Sequence, residues 1–64
     1  MVSINGKPVD AAGKLLADWL KASGFRINRI VVEINGVIIS PGLYTSTFFK
    51  DGDRVEIVSF VGGG

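Results

Sequence analysis

The chain closes on Ser59, Phe60, Val61, Gly62, Gly63 and Gly64, and the carboxyl group of that last glycine is the one obvious chemical handle in the sequence. With no Cys and no His among 64 residues, a thiol nucleophile, a disulfide and an imidazole base are all excluded. Glycine has no Cβ, so Gly62, Gly63 and Gly64 can take dihedrals closed to other residues and fit a channel too narrow for side chains. Three extended residues add roughly 10 Å of reach. Taken by composition alone, the glycines read equally well as a plain chain end and as an arm that carries a carboxylate into another protein's site.

The remaining polar side chains give weaker leads. Tyr44, Ser46 and Thr47 supply hydroxyls, but no His stands by to activate one as a nucleophile. Asp51 and Asp53, even with Glu33 and Glu56 beside them and no His, fit turn chemistry better than a metal site, and no metal is expected. "INGKPV" has a glycine followed by Lys7 but lacks the other glycines and the hydroxyl of a phosphate-binding loop. Trp19 and Phe48 read as core residues. An independent enzyme is not expected, and neither is a bound cofactor.

The elements that must position the terminus emerge from periodicity. "VSIN" at 2–5 alternates apolar and polar residues, which predicts a strand with Val2 and Ile4 inward. Asn5-Gly6 suits a two-residue hairpin loop, and Lys7 to Val9 return beside the first strand. Pro8 confines that return to a short or edge strand. Asp10 is the expected helix N-cap, followed by a helix over 11–23 whose apolar stripe is Ala12, Leu15, Leu16, Trp19 and Leu20. Gly24 suits a left-handed stop, with Phe25 folding back on Leu20. "RIVVEINGVIIS" at 29–40 predicts a second hairpin about Asn35-Gly36.

Pro41-Gly42 opens a crossover loop with up to one helical turn, for which Leu43 and Phe48 are the expected core anchors. "KDGD" at 50–53 is a turn, and "RVEIVSFV" at 54–61 is the last strand. Val55, Ile57, Ser59 and Val61 share one face of it; Arg54, Glu56, Val58 and Phe60 share the other. The outer face thus turns apolar as it nears the glycines. Val58 and Phe60 read either as a docking patch at the root of the tail or as residues covered by the crossover loop. The order of elements predicts an α+β fold, one sheet packed on a single helix.

Composition bounds the function. Hydrophobic residues at 47% and charged residues at 20% suit a folded domain rather than a disordered chain. Seven basic and six acidic side chains, scattered along the chain, leave a net charge of +1 and give nucleic acid no continuous basic strip. The opening "MVSINGKPVD" has no basic leader, and the longest apolar runs, 30–32 and 37–39, are too short to span a bilayer. A cytoplasmic protein with no membrane partner is expected.

This order of elements, "DGDRVEI" leading into the last strand, and the terminal "VGGG" together resemble the ThiS family, ubiquitin-like β-grasp sulfur carriers of thiamin biosynthesis. The resemblance covers essentially the whole chain. It implies a mixed four- to five-stranded sheet on one helix over residues 1–61, with 62–64 as a flexible glycine tail. It further implies that the Gly64 carboxylate is adenylated with ATP by a ThiF-like partner and converted to a thiocarboxylate that donates sulfur to a ThiG-like thiazole synthase. A cysteine desulfurase is one implied source of sulfur. ATP would then belong to the partner, Gly62 and Gly63 would thread the partner's channel, and the chain would be a co-substrate rather than a catalyst. Two neighbouring readings share features with it. A molybdopterin-synthase small subunit also carries a thiocarboxylate, but "IVSFVGGG" lacks the prolines common before that family's Gly-Gly. A ubiquitin-like conjugation or interaction module would join its tail to lysines and never carry sulfur.

Overall fold

The computed structural model describes residues 1–60; Val61 and the three glycines lie outside the described residues. Five strands, β1 (Val2–Ile4), β2 (Lys7–Val9), β3 (Ile30–Ile34), β4 (Val37–Ile39) and β5 (Arg54–Ser59), form one sheet in the order β2-β1-β5-β3-β4. β5 is the central strand, parallel to β1 and antiparallel to β3. The two hairpins flank it, β1 with β2 on one side and β3 with β4 on the other.

Both hairpins turn where the sequence predicts. Asn5 and Gly6 have φ of 51° and 81°, Asn35 and Gly36 of 53° and 83°, the left-handed pair that matches the natural twist of two-residue hairpins. Val2, Ile4, Val32, Val55 and Ile57 alternate inward with period two and form the sheet half of the core. Pro8, with no N–H to donate, sits on β2 at the sheet edge.

The helix, α1, runs only over Leu16–Ala22 and so begins later than the predicted 11–23. Asp10 does not cap it; Leu15 is the N-cap and provides no side-chain bond. The preceding residues form a turn with Gly13 at φ 84°, in which the Lys14 N–H donates to the Ala11 carbonyl at 3.0 Å. Residues 13–15 then pair in extended fashion with the crossover, the Gly13 N–H donating to Phe49 and the Phe49 N–H to Lys14. The first helical donors are satisfied by the same segment: Leu16 N–H reaches the Thr47 carbonyl at 2.7 Å and Ala17 N–H the Tyr44 carbonyl at 2.9 Å. Backbone carbonyls thus take the capping role expected of the Asp10 side chain. Ala11, not Ala12, is the buried alanine.

The other end of α1 stops as predicted. Phe25 N–H donates to Leu20 and Gly24 N–H to Lys21, with Gly24 at φ 84°, the paired bonds of a Schellman ending. Leu16 and Leu20 are fully buried against the sheet. Trp19 bridges the two ends of the layer, edge-on to Phe49 at 5.9 Å and tilted to Phe25 at 6.0 Å.

The crossover contains the expected single turn, a 3-10 helix over Pro41–Leu43, but its anchors are each displaced by one residue. Tyr44 and Phe49 are 2% and 1% exposed, whereas Leu43 and Phe48 are 52% and 57% exposed. The physical reason is that the irregular loop has no period to fix its facing, and the pairing of Leu15 with Phe48 turns the next side chain, Phe49, into the core.

Candidate functional site at the root of the C-terminal tail

The last strand is held at its start and its middle by the asparagines of the two hairpin turns. The Asn5 side chain accepts from the Ile57 N–H at 2.7 Å and donates to the Ile57 carbonyl at 3.1 Å, continuing the β1 ladder with an amide in place of a peptide. Asn35 accepts from the Arg54 N–H at 2.9 Å and donates to Asp53 at 3.0 Å. Asp53 also accepts from the Lys50 N–H at 2.8 Å, which closes the turn before β5. At the far end, Phe60 N–H donates to the Arg29 carbonyl at 2.7 Å. The described chain therefore ends just past the central strand, at a residue tied to the arginine-bearing turn.

Val58 and Phe60 are 55% and 54% exposed, so the crossover loop does not cover them. Val58 pairs with half-buried Val31 on β3, while Glu56, two residues earlier, pairs with Glu33. The outer face thus turns from charged to apolar towards the tail. Ser59 shares the face of Val55 and Ile57, as expected, pairing with buried Ile30, and is itself exposed. Beside it lies an open groove of about 340 Å³, lined by Phe25, Arg26, Arg29, Ile30, Ser59 and Phe60 among others. The predicted tail residues Gly62, Gly63 and Gly64, with Val61, lie outside the described residues.

The remaining polar candidates are dispersed and engaged locally. Thr47 and Ser46 hydroxyls donate to the Leu43 carbonyl at 2.7 and 3.3 Å, closing the loop after the 3-10 turn. Tyr44 is buried, and that burial pushes its phenol above the ordinary tyrosine range against a smaller opposing effect of the Val32 backbone. Asp51 pairs with the N-terminal ammonium, whose hydrogen bond and charge hold its carboxyl below the usual range. Among the described residues no group of three acidic side chains gathers as a metal site. Nor is any helix there long and apolar enough to cross a membrane.

Two features of the site are not legible in the sequence. The asparagines of both "ING" turns read as turn formers, but nothing in their spacing shows that their amides reach across to β5. Arg26 and Arg29 belong to a segment without hydrophobic period, and only the 3-10 turn over Ile27–Arg29 brings both to the groove.

A mixed five-stranded sheet over one helix, with the last strand at its centre, defines a ubiquitin-like β-grasp protein. Two structures of a thiamine biosynthesis protein (ThiS) from Geobacter metallireducens share it. The crystal structure has a TM-score of 0.72 and 30% identity, covering 98% of this chain and 97% of that one. The solution structure has a TM-score of 0.75 and 33% identity, covering 98% and 86%. The sequence model of the ThiS family matches residues 2–64. The chain belongs to the ThiS family. It is also 38% identical to the uncharacterized protein ycf40 of Porphyra purpurea, over 98% of this chain and 90% of that protein. A thiazole synthase of Magnetococcus marinus is 36% identical over 98% of this chain, which spans only 20% of that relative's length.

Proposed function

We propose that this chain is a sulfur carrier of thiamin biosynthesis whose Gly64 carboxylate is the working group. The observation that carries the reading is the family match to residue 64, which takes in Gly62, Gly63 and Gly64 as well as the folded body. The thiamine biosynthesis neighbours and the thiazole synthase relative support the same pathway.

A carboxylate resists attack because its leaving group would be oxide. In the proposed sequence a ThiF-like partner binds ATP, the Gly64 carboxylate oxygen bonds to the α-phosphorus, and pyrophosphate leaves. The resulting acyl adenylate has AMP as its leaving group. The terminal sulfur of a persulfide on a donor such as a cysteine desulfurase attacks the acyl carbon and displaces AMP. A thiol then attacks the donor-side sulfur of the resulting acyl disulfide, releasing the thiocarboxylate and leaving the donor and the thiol joined as a disulfide. That sulfur then passes to a thiazole synthase. The chain is a co-substrate in each step, and ATP is bound by the partner.

The body's part is presentation. Gly62 and Gly63 add no side chain that would stop the terminus entering a narrow active site. Val58 and Phe60 offer apolar area beside the point of departure, and burying them against a partner would fix the tail's entry. Complementation tests the function: expression in cells lacking their own thiamin sulfur carrier should restore growth without thiazole, and removal of Gly64 should abolish the rescue. Rescue by the chain lacking Gly64 would contradict the reading.

A further inference from the structure

The groove beside the tail root carries a charge that the carrier reading does not use. Arg26, the extended residue that precedes the 3-10 turn, and Arg29, the last residue of that turn, bring two guanidinium groups to the same groove. Both residues are exposed, both line the groove, and neither forms an ion pair among the described residues. Like charges placed side by side repel, and a carboxylate between them would relieve the repulsion. The walls are aromatic: Phe25, fixed by the Schellman ending, and Phe60, the last described residue before the tail. Planar guanidinium forks of this kind suit bidentate pairing with carboxylates.

The position of this pair is set by the tail root itself. Phe60 N–H donates to the Arg29 carbonyl, so the arginine turn and the tail root are coupled directly. A partner that draws the terminus into its active site therefore meets Arg26 and Arg29 at its entrance. With a net charge of only +1 on the whole chain, the attraction is local to this groove.

We propose that the Arg26/Arg29 groove is a docking site for a carboxylate-bearing segment of the adenylating partner, and that it steers and orients the tail. The proposal rests on the sulfur-carrier reading. Val58 and Phe60 would supply apolar contact area beside it, and the arginines would supply direction and association rate.

The test measures association of the full chain with the adenylating enzyme of the same organism at about 0.05 and about 0.5 M salt. R26E/R29E should slow association about tenfold or more at the lower salt, with the difference shrinking at the higher one. R26K/R29K should recover most of the rate. K7E/R54E makes the same change in net charge outside the groove and should have a much smaller effect. Unfolding midpoints of all variants should match the parent because every altered side chain is exposed. If R26E/R29E does not fold, R26Q/R29Q takes its place with the same expected direction. Equal rates for R26E/R29E and the parent, or an equal loss in K7E/R54E, would overturn the proposal. So would a shift of the arginine side-chain NMR signals in the free protein on deletion of Gly64, since the chain's own carboxylate would then fill the groove. A parent chain that gains sulfur with ATP and partner while these arms fail sinks the groove alone; a parent chain that never gains sulfur sinks the carrier reading and the groove with it.

Discussion

Single residues carry unequal weight here because their surroundings differ. Asn5 combines a left-handed backbone with two bonds to Ile57, so N5A loses both and strains the turn, at a cost of about 2 kcal/mol or more. N5G keeps the turn and loses only the bonds; urea unfolding should place it between N5A and the parent. Phe60 is half exposed, and F60A should leave stability within about 0.5 kcal/mol of the parent while weakening partner binding. A large loss of stability with unchanged binding would make Phe60 a core residue instead. Tyr44 is the only tyrosine, so ultraviolet titration of the phenol reports it alone. Its midpoint in the folded protein should lie above about 10 and return to about 10 in denaturant. A raised folded value means that the native state keeps the proton longer. Stability should accordingly be unaffected by this group below about pH 10 and fall as pH rises from there through the folded value.

Strands, turns and helix are most legible in the sequence where one period holds. Alternation and the two Asn-Gly pairs locate both hairpins and the last strand, and Gly24 with Phe25 locates the helix end, because in each case a local pattern and the tertiary fold demand the same conformation. The helix start is different: the apolar spacing that ends at Leu20 extends backward into residues 12–15, where Gly13 and pairing with the crossover prevail. Periodicity cannot see a partner segment far along the chain. The crossover is illegible for a related reason: between two aromatic neighbours, Phe48 and Phe49, only the Leu15 bridge decides which faces inward. That decision is measurable. F49A should cost about 3–5 kcal/mol, since it empties a site against Trp19, whereas F48A should cost no more than about 0.5 kcal/mol. Similar losses for the two would show that the crossover is packed differently.

Considered entire, the protein is arranged around one strand. β5 is central in the sheet, paired on both sides, clamped by Asn5 and Asn35, and tied beyond its end, at Phe60, to the turn that bears Arg29. The fold class and the family are legible because they depend on the order of elements and on the terminal motif. The exposure of Val58 and Phe60 depends on what the rest of the fold lays over the sheet, which no strand pattern reveals, and the arginine groove depends on a 3-10 turn with no hydrophobic signature. On the carrier reading, the body exists to present a free terminal carboxylate as sulfur cargo. Intact-mass measurement after incubation with ATP, a sulfur source and the adenylating partner checks this without intermediaries, on the parent chain beside one lengthened by a few residues after Gly64. The parent alone should gain the mass difference between sulfur and oxygen, located at Gly64; an unchanged parent, or an equal gain in the lengthened chain, would contradict the carrier reading.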